Sequence, residues 1–262
     1  MPLALQTFST VADANAAMKA AGTRYLGGGT LVVRAANEGD LSFSTYVRAT
    51  DPALGRIEIS GGKAKIGASI TMAQVARHPQ LAILAAAARA VGGPAVNNMA
   101  TVGGNLFAPA PYGDFAVALL ALDATVHTGD TAVSIDGFLE RRGGGIVTAV
   151  SFTLPPEHSF RFLKVSRVKP KGISVLSLAA VIEEGTDNTI TSARIALGCM
   201  ADRPMRARAA EKALVGRKRT EDGIAPALAV AAQGTSPATD AVASAWYRSE
   251  VLPVHLGRLL LG

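Results

Sequence analysis

The run Gly27-Gly28-Gly29-Thr30, entered from a short strand that ends at Leu26, limits the folds open to this chain more than any other stretch. Glycines let a main chain come close to a ligand and aim successive N–H groups at one point, which suits a phosphate. The run lacks the lysine of a P-loop and the G-x-G-x-x-G spacing of a dinucleotide fingerprint, so neither of those folds is indicated. Taken alone, it reads equally well as a tight turn.

Short strands and short helices surround it. Thr10 to Ala21 reads as a helix, with Thr10 and Asp13 in the form of a capping box and Gly22 as the stop. Tyr46 to Arg48 and Arg56 to Ser60 alternate as strands, and Gly61-Gly62 turns the second into Lys63 to Gly67 as a hairpin. A helical pattern broken at Pro79 covers Thr71 to Ala90, and Phe115 to Leu122 reads as a further helix. Strands are expected at Ala124 to Thr128 and Ile146 to Leu154, and Pro155-Pro156 is the expected boundary between domains at 1–155 and 156–262. Beyond it, Arg161 to Val168, Ser174 to Glu183 and Thr189 to Leu197 suit an antiparallel meander, turned at 184–188. Met205 to Val215, Gly223 to Ala232 and Ala238 to Leu261 are helical in pattern, and strands followed by helices describe an α+β domain.

Several functional classes are disfavoured at this stage. The 262 residues are 49% hydrophobic, enough for a sizeable core, but no apolar run is long enough to span a bilayer. The first residues lack the features of a signal peptide, so a cytoplasmic protein is expected. Cys199 is the single cysteine and can form neither an internal disulfide nor a thiolate cluster, so any iron–sulfur centre belongs to another chain. His78, His127, His158 and His255 are scattered without ligand spacing, which argues against a metal site. The net charge of +6 suits an acidic partner or a nucleic acid, but aromatic residues are 5% and do not interleave with the basic ones, which argues against nucleic acid. Basic groups at Arg141-Arg142, Lys164 to Lys171 and Arg217 to Arg219 read as solvated faces, one of which could dock an acidic partner.

The second glycine-rich passage is more specific. It reads Ala100-Thr101-Val102-Gly103-Gly104-Asn105-Leu106, then Ala108-Pro109-Ala110-Pro111-Tyr112-Gly113-Asp114, then Ala118-Leu119-Leu120-Ala121-Leu122-Asp123-Ala124. This resembles the T-[IV]-G-G-N, P-x-x-D and A-L-L-A-L-D-A pattern of the FAD-binding medium subunits of molybdenum hydroxylases, the xanthine dehydrogenase and carbon monoxide dehydrogenase family. Gly27 to Thr30 matches that family's G-G-G-T loop. Gly145-Ile146-Val147-Thr148 is similar to its flavin-lining strand, and Phe162 to Arg167 to its F-x-K-x-[AS]-R segment. The resemblance covers nearly the whole chain.

It implies an α+β fold: an FAD-binding domain of two α+β subdomains, of the vanillyl-alcohol-oxidase (PCMH) type, followed by a small α+β C-terminal domain. It also implies one non-covalent FAD, with Leu26, Gly27, Gly28, Gly29, Thr30, Leu31, Val91, Thr101, Val102, Gly103, Gly104, Asn105, Asp114, Val147 and Lys164 as cofactor-binding residues. Main-chain N–H groups of Gly27 to Thr30 and of Thr101 to Gly104 would face the pyrophosphate, with the Thr30 and Thr101 hydroxyls adding donors. On that reading, a side chain at Gly28 or Gly103 harms FAD affinity far more than stability. Asn105 reads as a turn residue or a cofactor contact, and Asp114 as a cofactor contact or the N-cap of the helix at Phe115. Lys164 would stand near the flavin, while by itself it reads as a solvated lysine, and Cys199 reads as a small core residue.

Two positions depart from the family pattern: Leu31, where many members carry a polar residue, and Gly172, which fills a place often held by Asp. The resemblance further implies an oxidoreductase subunit of a heterotrimer or its dimer. A small subunit with [2Fe–2S] clusters and a large subunit with the molybdenum cofactor would be its partners, and FAD would pass electrons to NAD or another acceptor. The rival readings are a stand-alone flavin oxidase and a non-redox nucleotide-binding module.

Overall fold

The computed structural model describes residues 3–129, 131–143, 145–169 and 172–262. The chain starts with β1 (Ala4–Phe8), α1 (Val11–Ala17), β2 (Thr23–Tyr25), α2 (Val32–Asn37) and β3 (Thr45–Ala49), and its strands form a parallel sheet in the order β1-β3-β2. Thr10 caps α1 by accepting from the Asp13 N–H, as its spacing predicts. The helix closes at Ala17, before the expected Ala21, because the N–H groups of Lys19 and Ala20 bond three residues back, to Ala16 and Ala17, and tighten the last turn.

Next come β4 (Ile57–Ser60), β5 (Lys63–Gly67), α3 (Met72–Arg77), a 3-10 segment (Pro79–Leu84) and α4 (Ala85–Ala90). Gly61 and Gly62 both have positive φ and make the expected hairpin turn. The predicted break at Pro79 is present, and Thr71 opens α3 with a capping box to Gln74. Then follow α5 (Pro94–Met99), the single turn α6 (Val102–Asn105), α7 (Asp114–Ala121), β6 (Thr125–Thr128), β7 (Thr131–Ser134), α8 (Ile135–Arg141) and β8 (Val147–Thr153). The strands of this part form a five-stranded antiparallel sheet, β4-β5-β8-β6-β7.

The last part holds β9 (Phe160–Ser166), β10 (Ser174–Glu184), β11 (Ile190–Gly198), β12 (Met205–Arg206), α9 (Arg208–Leu214), α10 (Glu221–Ala229) and α11 (Ala245–Leu261). The expected meander is found, extended by β12 into an antiparallel sheet of order β12-β11-β10-β9. The helix expected from Met205 begins at Arg208, after that edge strand. The helix expected from Ala238 begins at Ala245, because Asp240 accepts from the Val242 and Ala243 N–H groups and Ser244 caps from the Tyr247 N–H.

Strand β10 is the wall on which the site rests. Its alternate residues face opposite ways. Leu178, Ala180 and Ile182 pack in one core with α9 to α11, while Ala179 and Val181 pack in the other with α7. All eight residues of α7 are therefore buried, Asp114 among them. No described helix is long and apolar enough to cross a membrane.

Candidate functional site

The two glycine passages lie against each other. A Cβ on Gly27 would sit 3.1 Å from the Thr101 Oγ1, and one on Gly28 would sit 1.7 Å from the Met99 carbonyl oxygen. Only a residue without a side chain allows the first loop to touch the backbone of residues 99–100. Leu26 anchors the loop by donating its N–H to the Val47 carbonyl at 2.8 Å, and the Gly29 and Leu31 carbonyls accept from Val33 and Ala35 as α2 begins. Among the described residues, nothing accepts from the N–H groups of Gly27, Gly28, Gly29 or Thr30, or bonds the Thr30 hydroxyl. These donors are half-exposed and sit together in one turn, a cradle suited to an anion.

The second passage behaves differently, and this corrects the sequence reading. The Val102 N–H donates to the Ile70 carbonyl, the Gly103 N–H to the Ala68 carbonyl, both at 2.9 Å, and the Gly104 N–H to the Thr101 Oγ1 at 3.2 Å. The fold uses these three donors, whereas, among the described residues, nothing accepts from the Thr101 N–H. Gly103 is needed for packing: a Cβ there would lie 2.8 Å from the Ala68 Cβ. A side chain at either glycine would strike protein, so the expectation that a substitution at Gly28 or Gly103 lowers FAD affinity far more than stability meets a packing cost at both positions. Thr101 acts as the N-cap of α6.

Asn105 and Asp114 take structural parts as well. The Asn105 Oδ1 accepts from the Ala116 N–H at 3.0 Å, eleven residues on, and so fastens α6 to the first turn of α7 rather than stabilising a turn of its own. Asp114 is not an N-cap, because Gly113, with a φ of 97°, holds that place and Asp114 is the first residue of the helix. Its carboxylate instead accepts from the Lys164 Nζ at 2.8 Å and from the Ser174 hydroxyl at 2.6 Å. Lys164 is not a solvated lysine: its side chain is 11% exposed and also donates to the Ala90 carbonyl at 2.7 Å, next to Val91. Of the basic run that follows it, Pro170 and Lys171 lie outside the described residues.

The remaining candidates lie on other elements. Val147 opens β8, and the adjoining Thr148 carbonyl accepts from Ala68, whose own carbonyl holds Gly103. Leu31 is half-buried at the start of α2 and makes no side-chain cap. At Gly172 a Cβ would meet the Val168 carbonyl oxygen at 2.3 Å, so the tight bend there has no room for a side chain. Burial, and then the nearby Asp114, push the Cys199 thiol up to about 12, which makes it a core group rather than a nucleophile. The sequence reading missed Ser174, and Asn15, whose Oδ1 holds the Ile146 N–H at 2.8 Å. It also missed Tyr112, whose hydroxyl accepts from Arg34 of α2 at 3.3 Å. A serine opening the β10 pattern was the one visible hint, since it stands two residues after the departure at Gly172.

A parallel and an antiparallel sheet with a glycine cradle between them, backed by a helix-covered third sheet, define a nucleotide-cofactor-binding subunit. The chain belongs to the FAD-binding medium subunits of the molybdenum hydroxylase family. Its residues 3–152 match the FAD binding domain in molybdopterin dehydrogenase, and residues 161–262 match the CO dehydrogenase flavoprotein C-terminal domain. It is 29% identical over 178 residues to the glyceraldehyde dehydrogenase medium chain of Sulfolobus acidocaldarius, covering 64% of this chain and 63% of that one. It is 28% identical over 179 residues to the carbon monoxide dehydrogenase medium chain of Afipia carboxidovorans, covering 64% and 62%. Both matches span less than two thirds of the relative's length. Among solved structures, a chain of the reconstituted CO dehydrogenase from Oligotropha carboxidovorans is similar with a TM-score of 0.90 at 25% identity, over 99% of this chain and 97% of that one. A chain of quinoline 2-oxidoreductase from Pseudomonas putida 86 shares the fold at 22% identity, with a TM-score of 0.89 over 100% and 96%.

Proposed function

We propose that this chain is the electron-transfer subunit of a cytoplasmic molybdenum hydroxylase complex, taking electrons from [2Fe–2S] clusters on a small partner and passing them through FAD to NAD or another acceptor. A large partner with the molybdenum cofactor would oxidise the organic substrate. The observation that carries the FAD site is the row of N–H groups at Gly27, Gly28, Gly29 and Thr30 that have no acceptor among the described residues. These donors and the Thr30 hydroxyl hold the diphosphate, with Leu26 and Leu31 flanking them. Thr101, Val102, Gly103, Gly104 and Asn105 form the supporting wall, and Val91, Val147 and the Asp114–Lys164 pair border the space beyond it. When bound, FAD supplies exchange between single-electron and hydride transfer. The protein's part is to bind and orient it beside a fixed internal charge pair. The division at Pro155-Pro156 belongs to the same proposal, supported by family matches that stop at 152 and resume at 161.

Two results are expected. Denaturing the flavin-loaded protein releases intact FAD into the supernatant, because neither loop carries a His or Cys for a covalent bond; flavin that stays with the precipitate contradicts this. Coexpression with a [2Fe–2S] chain and a molybdenum chain gives a complex whose flavin absorbance bleaches on adding substrate only when all three are present. Fast bleaching of the isolated chain by an organic substrate identifies a stand-alone oxidase instead.

A further inference from the structure

Strand β9 is the outer strand of the third sheet. The Ser159 carbonyl accepts from the Ile182 N–H at 3.0 Å, and the register continues through Arg161↔Ala180 and Leu163↔Leu178. Alternate residues of an antiparallel pair exchange the cross-strand bonds, so the main-chain groups of Phe160, Phe162 and Lys164 point away from β10. Among the described residues, nothing bonds to them there.

Such an edge is usually blunted by charged side chains turned toward an incoming strand. Here both cations of the strand are engaged by the protein. The Arg161 Nη1 donates to the Leu259 and Leu260 carbonyls at 3.1 and 3.0 Å, and Lys164 is held by Asp114. Beside the strand, a groove of about 530 Å³ runs between β9 and the last turns of α11. Arg161, Lys164, Lys169, His255 and Arg258 line it, and among the described residues no Asp or Glu does. Lys169 and Arg258 are exposed, and neither forms an ion pair among the described residues.

We propose that the β9 edge and this cationic groove dock an extended, carboxylate-bearing segment of a partner polypeptide, which adds to the third sheet as a further strand. The proposal rests on the reading of the chain as one subunit of a complex. Free N–H and C=O groups at strand spacing select a polypeptide, and the unpaired cations select its acidic side chains.

The test uses the full chain and a synthetic peptide of alternating Glu and Val, with amide hydrogen exchange as the readout. The peptide is expected to slow exchange at Phe160, Phe162 and Lys164, and to lose this effect in ~1 M salt, where charges are screened beyond ~3 Å. A Lys–Val peptide of equal length should not bind. Lys169→Glu with Arg258→Glu, both at exposed positions, should weaken binding at least ~10-fold, or ~1.4 kcal/mol, with unchanged thermal unfolding. Phe162→Pro should abolish binding while Phe162→Ala, which loses the same ring but keeps the N–H, retains it. Unprotected amides at saturating peptide, equal binding by the charge-reversed variant, or stronger protection by oligothymidine each overturn the proposal. FAD release and three-chain flavin reduction do not depend on any of these outcomes, so the subunit reading stands or falls separately.

Discussion

Gly28→Ala is expected to destabilise the apoprotein and to abolish FAD retention together. The added methyl would lie 1.7 Å from the Met99 carbonyl oxygen and 2.6 Å from its carbon, both main-chain atoms that cannot swing aside as a side-chain tip does. The first loop must then lift away from residues 99–100, and the cluster of free N–H groups is dispersed. Overpacking of this kind costs ~1–3 kcal/mol or more. Gly103→Ala should also destabilise, against Ala68, whereas Gly55→Ala should have little effect, because a Cβ there meets no atom within 4 Å. Thermal unfolding of the three apoproteins and their flavin content after loading are the measurements. A Gly28→Ala apoprotein as stable as its parent would falsify the contact between the two loops.

The second large effect is expected at the pair that joins α7 to β9. Asp114 is 5% exposed, and without Lys164 its carboxylate would keep only the Ser174 hydroxyl. Lys164 without Asp114 would keep only the Ala90 carbonyl. Removing one partner of a buried pair leaves an uncompensated charge and costs ~3–5 kcal/mol, so Asp114→Ala and Lys164→Met should each fall in that range. Asp114→Ala combined with Lys164→Met removes both charges and should cost clearly less than the sum of the two single changes. Denaturant unfolding of the four proteins completes the cycle. Strict additivity would mean that the two groups do not interact.

The parts of this fold that were legible in the sequence are those with local causes. Thr10 and Asp13 announce α1, Gly61-Gly62 the first hairpin, and Glu184 to Asn188 the turn between two apolar strands. β7 and α8 escaped notice because Thr131–Ser134 is short, and because Ser134 caps through the Gly137 N–H without the Glu or Gln that completes a capping box. At the site, the free donors of the first loop follow from its glycines. In the second, the Gly104 N–H bonds the Thr101 hydroxyl three residues before it, but the Val102 and Gly103 N–H groups bond carbonyls of Ile70 and Ala68, and a main-chain acceptor leaves no mark in a sequence. Asp114, Lys164 and Ser174 are separated by 50 and 60 residues, too far for any spacing rule to join them.

The sharing of β10 between two cores bears on how the protein is made. As the chain emerges from the ribosome, α7 appears tens of residues before the strand whose Ala179 and Val181 will cover it. In that interval an apolar helix waits without its cover, and a product ending near Pro155 would carry that bare surface permanently. The residues before Pro155 therefore complete their core only when translation has supplied the third sheet.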